Sequence, residues 1–128
     1  MASKTEAELL AIVERFFTAY NEMDLGAFGS LLAADVRWEH HNRFQGNGRD
    51  ALVTSVRAIQ GKVPDRRFTE ITRWAARGDT VYVEHGWSAT PDVTDEAWGY
   101  EAGVATSKDI ASVFVIEDEL ITKWSDYG

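Results

Sequence analysis

The stretch that decides the fold is residues 106–127, T-S-K-D-I-A-S-V-F-V-I-E-D-E-L-I-T-K-W-S-D-Y. Apolar and polar residues alternate on both sides of Glu117-Asp118-Glu119, which predicts two antiparallel strands joined by a tight turn. In the second strand Trp124 and Asp126 share a face. If that face is buried, the pKa of Asp126 is raised because burial disfavours the charged form, and such a carboxyl group is suited to moving protons.

Three helical patterns are found in the first half of the chain. They cover residues 3–21, a short segment that follows Asp24, and residues 48–60. The first helix has two candidate capping boxes at its start, Ser3 with Glu6 and Thr5 with Glu8. Asp24 is expected to cap the second helix, because its side chain can accept a hydrogen bond from a free backbone N–H of the first turn.

The other patterns alternate as strands. They cover residues 36–42, 67–76, 80–90, 106–117 and 120–127. Helices followed by a run of hairpins predict an α+β domain, in which three N-terminal helices pack on a curved antiparallel sheet that forms a cone-shaped barrel around a pocket. Residues 91–103 are acidic but include Trp98 and Tyr100, and this segment is expected either to fold over the pocket mouth or to contact a second subunit.

Composition and net charge argue against several classes of function. The 128 residues suit a single domain covering residues 1–128, and the net charge of −8 argues against a nucleic-acid partner. The arginines nearest to a basic cluster, Arg66, Arg67, Arg73 and Arg77, are interpreted as solvated parts of a strand and its turn. The absence of cysteine excludes disulfides and thiolate metal sites. With no membrane-length apolar run and no signal-peptide pattern, we expect a cytoplasmic protein without a membrane partner.

Three predicted strands each place a polar group and a tryptophan on one face. The pairs are His40 with Trp38, His85 with Trp87, and Asp126 with Trp124. Aromatic walls around a few polar groups are typical of a small-molecule site. We therefore predict a pocket in which the three tryptophans contact the substrate, together with Phe16 and Tyr20 from the apolar stripe of the first helix. The alternative is that the tryptophans only fill the core.

The polar groups of this predicted pocket are candidates for proton transfer. His40 and His85 could each act as a general acid or base near neutral pH. Asp126 could be the base itself, or could orient a histidine by accepting its ring N–H. Ser112, on the strand before it, could donate a hydrogen bond to a developing oxyanion. Each of these side chains has the alternative of a purely structural role.

Metal binding is the other use of two histidines and a carboxylate. His40, His85 and Asp126 are scattered over three predicted strands, and no ligand-spaced motif such as H-x-x-x-H is present. The phosphate-loop and dinucleotide fingerprints are also missing, since the glycines at 46 and 48 lack the Lys-Ser/Thr that would follow them. We therefore predict neither a metal nor a cofactor.

Four motifs in order resemble the SnoaL-like family. They are E-R-F-F-T-A-Y-N-E-M-D-L-G-A-F (14–28), L-L-A-A-D-V-R-W-E-H (31–40), G-N-G-R-D-A-L (46–52) and S-V-F-V-I-E-D-E-L-I-T-K-W-S-D-Y (112–127). This family belongs to the nuclear-transport-factor-2-like superfamily, which includes ketosteroid isomerase, limonene-epoxide hydrolase and polyketide cyclases. The resemblance implies the cone-shaped fold. It implies less about function, because this fold serves several chemistries as well as non-catalytic binders.

The site residues of these relatives match the chain unevenly. The oxyanion-hole tyrosine and acid of ketosteroid isomerase match Phe16 and Ser112, and its general base matches His40, so steroid isomerisation by that route is not expected. The third-strand arginine and aspartate of limonene-epoxide hydrolase fall at His85 and Trp87, so its complete machinery is missing, whereas its last-strand aspartate matches Asp126. In SnoaL-type polyketide cyclases the acid/base aspartate near the C-terminus also matches Asp126.

The leading prediction is a cofactor-free acid–base enzyme of cyclase, isomerase or dehydratase type, acting on a mostly apolar small molecule that carries a carbonyl group. Asp126 and one histidine would move the proton. The alternatives are an epoxide hydrolase with altered catalytic residues and a non-catalytic module that binds a small ligand. A homodimer is also expected, partly from the family and partly because one sheet face would otherwise expose Tyr82, Val113 and Val115 to water.

Overall fold

The computed structural model describes residues 4–128 and contains three helices and seven strands. The helices are α1 (Glu6–Asn21), α2 (Leu25–Ser30) and α3 (Arg49–Lys62). The strands are β1 (Leu32–His40), β2 (Phe44–Asn47), β3 (Arg67–Phe68), β4 (Arg73–Arg77), β5 (Thr80–Ala89), β6 (Thr106–Glu117) and β7 (Leu120–Tyr127). A 3-10 helix, Glu96–Trp98, lies between β5 and β6. No helix in this part of the chain is long and apolar enough to cross a membrane.

The helix caps follow the sequence. Thr5 accepts a hydrogen bond from the Glu8 backbone N–H, and the Glu8 side chain accepts one from the Thr5 N–H, which completes the second of the two predicted capping boxes. The alternative with Ser3 lies outside the described residues. Asp24 caps α2 as predicted, by accepting a hydrogen bond from the backbone N–H of Ala27.

The strands form one sheet in the order β2-β1-β7-β6-β5-β3, and β4 also pairs with β5. The α+β class is confirmed, with helices packed on a mostly antiparallel sheet. One strand pair departs from the predicted antiparallel arrangement, because β1 and β7 are parallel. This pair joins the beginning of the sheet region to the end of the chain, so no hairpin pattern could indicate it.

The strand boundaries differ from the prediction in several places. Strand β1 covers Leu32–His40 rather than residues 36–42, and β5 ends at Ala89, one residue before the predicted end. Residues 67–76 do not form one strand; β3 and β4 both pair with β5 and are separated by residues 69–72. Strand β2 was not predicted, and it pairs antiparallel with the end of β1. Strands β6 and β7 have the predicted bounds. Their turn places Asp118 and Glu119 at positive φ, 51° and 68°, which explains how a tight hairpin forms there without glycine.

An aromatic core lies between α1 and the sheet. Phe16 is fully buried, with its ring centroid 4.7 Å from that of Phe28, 5.3 Å from that of Phe114 and 5.0 Å from that of Trp124. Aromatic rings at such distances and angles add to the apolar area they bury. This packing fixes α1 over β6 and β7 and so fixes the inner face on which Trp124 and Asp126 lie.

Candidate active site

A narrow cavity of about 60 Å³ lies between the helices and the inner face of the sheet. Its wall is formed by residues of α1, β1, β2, α3, β3 and β7, by Arg66, and by Trp98 of the 3-10 helix. Its polar side chains include His40, Arg66 and Asp126. The cavity therefore has the composition of a small-molecule site, with apolar and aromatic walls around a few polar groups.

Strand pairing brings the cavity residues together. The parallel pairing of β1 with β7 places His40 opposite Asp126 and Trp38 opposite Trp124. The antiparallel pairing of β6 with β7 places Ser112 opposite Asp126 on the other side. Side chains directly opposite one another in a ladder lie on the same face of the sheet. Asp126 consequently lies between two polar neighbours from two different strands.

Asp126 is buried and accepts two hydrogen bonds at one oxygen. The Trp124 indole Nε1–H donates to Oδ1 at 2.6 Å, and Ser112 Oγ lies 2.5 Å from the same atom. Oδ2 forms no hydrogen bond with the described residues. Since Asp126 lies on the cavity wall and is only 7% exposed, Oδ2 is the oxygen that a bound molecule can reach.

The pKa of Asp126 is raised to about 6, because burial penalises the charged carboxylate. The hydrogen bonds from Ser112 and Trp124 and the charge of Arg66 act in the opposite direction and limit this rise. A carboxyl group with a pKa near 6 exchanges protons readily around neutral pH and can serve as acid or as base.

His85 lies behind Asp126 rather than on the cavity wall. Its Nε2 is 2.7 Å from Ser112 Oγ, and its ring packs against Phe17 and Phe68 with centroids 4.5 and 5.3 Å apart. The prediction that His85 shares the pocket with His40 and Asp126 was therefore wrong in its placement, although Ser112 links His85 to Asp126. Burial lowers the pKa of His85 to about 4, so the ring is neutral near pH 7.

The positions of the protons in the hydrogen-bonded series His85–Ser112–Asp126 follow from its donors and acceptors. His85 Nδ1 lies 3.1 Å from the backbone oxygen of Gly86, which only accepts, so Nδ1 bears the proton and the neutral ring accepts at Nε2. The Ser112 hydroxyl has one proton to donate, either to His85 or to Asp126. With Asp126 protonated at Oδ1, the carboxyl group donates to Ser112 and Ser112 donates to His85, whereas protonation at Oδ2 lets Ser112 go on donating to Oδ1. When Asp126 ionises, Ser112 must turn its proton to the carboxylate.

His40 is the histidine that faces the cavity. It is 6% exposed, its ring centroid lies 5.6 Å from that of Trp98, and its Nδ1 is buried without a hydrogen-bond partner among the described residues. Burial is the main cause that lowers its pKa, which favours the neutral ring. An unpaired polar atom in such a place is costly unless a ligand or water completes it. The neighbouring His41 is exposed.

The other predicted contact residues divide into two groups. Trp38, Trp124 and Tyr20 lie on the cavity wall, as predicted. Phe16 and Trp87 are buried but do not line it, so for these two the core-filling alternative describes their position.

The segment expected to fold over the pocket does contact it. Trp98 lies on the cavity wall, and the Arg43 guanidinium fixes this segment by donating from Nη1 to the Ala97 backbone oxygen at 2.6 Å. The guanidinium carbon of Arg43 also lies 5.0 Å from the centroid of the Trp98 ring. That residues 91–103 contact a second subunit stays a prediction.

Sequence reasoning missed Arg66. It was interpreted as solvated, and that interpretation was wrong, because Arg66 is 8% exposed and lies on the cavity wall, whereas its neighbour Arg67 is exposed. Both arginines lie at the junction between a loop and the two-residue strand β3, so no periodicity distinguished them.

Metal ligation by these groups has no geometric support. Within residues 4–128 no three His, Asp or Glu side chains are arranged to hold a metal ion. His40 and Asp126 face the cavity, but His85 is separated from Asp126 by the Ser112 hydroxyl.

The sequence matches the model of a known protein family over most of its length. The family model of the SnoaL-like domain matches residues 13–124. The chain belongs to the SnoaL-like family. This confirms the resemblance of the four sequence motifs over nearly the whole domain, whereas a search of the curated proteins found no match.

Solved structures of the SnoaL-like and related folds superpose on most of the chain. A protein of Xanthomonas campestris provisionally assigned as a polyketide cyclase is 21% identical, with a TM-score of 0.84 over 95% of this chain and 90% of the other. An LEH-like epoxide hydrolase of Mycobacterium tuberculosis is 25% identical, with a TM-score of 0.79 and coverage of 94% and 82%. A Catenulispora acidiphila protein with a ketosteroid isomerase-like fold is 22% identical, with a TM-score of 0.78 and coverage of 91% and 84%.

Proposed function

We propose that this SnoaL-like protein is an acid–base enzyme that needs no cofactor and acts on a small molecule bearing a carbonyl group. The observation that carries the proposal is the single free oxygen of Asp126, a buried carboxyl group with a pKa of about 6 on the wall of an aromatic cavity. Cyclisation by aldol closure, double-bond isomerisation and dehydration next to a carbonyl can all start with the same step, removal of a proton from the carbon beside it.

In this step the ionised Oδ2 of Asp126 takes the proton, and the electron pair of the broken C–H bond forms an enolate. His40 is placed to stabilise the enolate oxygen, because its ring lies beside Asp126 on the same cavity wall and has one N–H to donate when neutral. Asp126, now protonated, can return its proton to the substrate. Ser112 and His85 are positioning residues here, since they hold Oδ1 and leave Oδ2 to the substrate.

Hydrogen exchange in D2O tests the shared first step without knowledge of the natural substrate. The protein is incubated with a panel of small ketones and 1,3-dicarbonyl compounds, and loss of the α-proton signal is followed by NMR. We expect faster exchange for at least one compound, with a rate that rises with pH through about 6, because the base must be ionised.

Matched variants assign this activity to the site. Asp126→Asn should reduce the exchange rate by about 100-fold or more, whereas Asp109→Asn on the exposed part of β6 should leave it unchanged. His40→Gln should reduce it by about tenfold or more, whereas His41→Gln should not. Full exchange activity in the Asp126 variant, or no exchange of any compound by the unaltered protein, would contradict the proposal.

Epoxide hydrolysis is a second candidate, favoured by the structural similarity to the epoxide hydrolase and by the pairing of Asp126 with His40 across one cavity. Here Asp126 would take a proton from water while the water oxygen attacks the epoxide carbon and the C–O bond breaks. The alkoxide that forms would then take this proton from Asp126, which gives the neutral diol and restores the carboxylate. Reaction in ¹⁸O-labelled water distinguishes this candidate, because a diol formed this way contains solvent oxygen. Failure to open a broad panel of small epoxides would count against it.

A further inference from the structure

Arg66 is held in one orientation inside the protein. Its Nε donates to the Tyr20 hydroxyl at 3.1 Å and its Nη1 to the Tyr100 hydroxyl at 2.6 Å. Its guanidinium carbon lies 4.5 Å from the centroid of a Trp87 ring and 6.0 Å from the centroid of the Trp98 ring. The two phenols and the indole faces fix the plane of the guanidinium while leaving Nη2 without a partner among residues 4–128.

Among the residues that the structure describes, no carboxylate forms an ion pair with this buried cation, although the protein as a whole has a net charge of −8. Buried charges in proteins are usually paired, because leaving them unpaired costs much of their hydration free energy. Cation–π contacts recover only part of that cost.

Asp126 does not act as the missing partner. It lies on the same cavity wall, and the charge of Arg66 is one of the influences that lower its pKa. That influence is the smallest of those acting on Asp126, and the Asp126 hydrogen bonds go to Ser112 and Trp124 instead. The free edge of Arg66 and the free oxygen of Asp126 therefore remain separate contacts for a molecule bound between them.

We propose that Arg66 binds a carboxylate group of the substrate, so that the ligand of this cavity is a small, mostly apolar molecule with a carboxylate in addition to the carbonyl group on which Asp126 acts. A planar guanidinium whose other nitrogens are already held matches the planar fork of a carboxylate. Within residues 4–128 the cavity wall has one guanidinium and no second lysine or arginine, which suits a monoanion better than a phosphate dianion. The carboxylate site itself rests on the proposed function only in taking the same cavity as the substrate site.

Binding of a matched pair of probes tests the proposal on the unaltered protein. Butanoate and butanamide have nearly the same shape and differ in charge, and both are small enough for a narrow cavity. Their affinities are measured by NMR titration at pH 7, with the indole N–H signals of Trp98 and Trp124 as reporters from the cavity wall. We expect butanoate to bind at least about tenfold more tightly than butanamide, a difference of about 1.4 kcal/mol. Equal affinities, or binding that leaves both indole signals unmoved, would overturn the proposal.

Neighbouring arginines provide the matched variants. Arg66→Gln should abolish the preference for butanoate, while Arg67→Gln, which changes the overall charge equally at an exposed position, should preserve it. Because Arg66 also holds Tyr20 and Tyr100, folding of the first variant is checked by near-UV circular dichroism. Should it not fold, Arg66→Lys, which keeps the charge but loses the fork, replaces it, and an unchanged preference for butanoate in that variant would contradict the carboxylate fork.

Asp126→Asn separates this inference from the proposed function. The variant should lose exchange activity and still prefer butanoate, because Arg66 is unchanged. Loss of activity without any preference for butanoate in the unaltered protein would refute the carboxylate site and leave the acid–base proposal standing. Full activity of the variant combined with a strong preference for butanoate would refute the acid–base proposal alone.

Discussion

Replacing Asp126 with asparagine should change how the stability of the protein depends on pH. In the folded protein the pKa of Asp126 is about 6, against an ordinary value of 3.8, because burial disfavours the carboxylate. Between these two values the folded state binds the proton more tightly than the unfolded state does. The contribution of Asp126 to the free energy of unfolding is therefore largest at low pH and is lost as the pH rises through about 6.

The size of this contribution follows from the difference between the pKa values of Asp126 in the folded and unfolded states. A shift of this kind corresponds to about 1.4 kcal/mol for each pH unit, or about 3 kcal/mol in full. At pH 4 the unfolded carboxyl group is already partly ionised, so the change between pH 4 and pH 8 is about 2 kcal/mol. Asparagine does not titrate and should abolish this contribution.

The contribution of His85 to the free energy of unfolding changes with pH in the opposite direction, over an overlapping pH range. Its pKa falls from 6.5 to about 4 on folding, mainly through burial, so the unfolded state binds the proton more tightly between these values. Its contribution is present above pH 6.5 and is lost as the pH falls towards 4. In the unaltered protein the two contributions largely cancel between pH 4 and pH 6. In the Asp126 variant the His85 contribution is no longer offset, and His40, whose pKa is also lowered by burial, acts in the same direction, so stability should rise with pH over this range.

Urea unfolding at pH 4, 5, 6, 7 and 8 measures the effect, with circular dichroism as the signal. The difference in unfolding free energy between Asp126→Asn and the unaltered protein should move by about 2 kcal/mol in favour of the variant from pH 4 to pH 8. Any constant effect of the new amide cancels in this comparison. Asp109→Asn, at an exposed position, should show no such trend. A difference that stays constant with pH would refute the argument that burial raises the pKa of Asp126.

Three further changes have effects that follow from single contacts. Ser112→Ala removes a hydrogen bond that lowers the pKa of Asp126, so the pH midpoint of the exchange activity should move upward, and an unchanged midpoint would contradict the role of Ser112. Gly86→Ala would place a Cβ atom 2.4 Å from the Lys108 backbone oxygen and should cost about 1–3 kcal/mol in urea unfolding. The control is Gly61→Ala in α3, where the new Cβ atom would have no neighbour within 4 Å, and it should raise the free energy of unfolding by about 0.5–1 kcal/mol. Equal effects of the two substitutions would refute the steric argument. Thr5→Ala breaks the capping box and should cost about 1 kcal/mol, and no loss would show that the cap contributes little.

Local patterns in the sequence predicted the three helices, most of the strands and the hairpin of β6 with β7. Strict alternation fixed the bounds of β6 and β7, and it fixed Trp124 and Asp126 on one face, because side chains two residues apart on a strand always point the same way. The Thr5–Glu8 and Asp24 caps could also be predicted from the sequence, because each cap satisfies backbone groups within one turn of the capping residue. The raised pKa of Asp126 followed from the sequence only on the condition that this face is buried.

Tertiary structure alone decided which of these groups meet at the cavity. His40 and His85 lie on comparable alternating strands, yet the parallel pairing of β1 with β7 brings His40 to Asp126, whereas His85 reaches it only through Ser112. Arg66 and Arg67 are adjacent and identical in type, and only packing against two tyrosines and two tryptophans makes the first a buried cation. The physical reason is range: a strand's periodicity depends on its own residues, but strand order and loop burial depend on contacts between segments far apart in the chain.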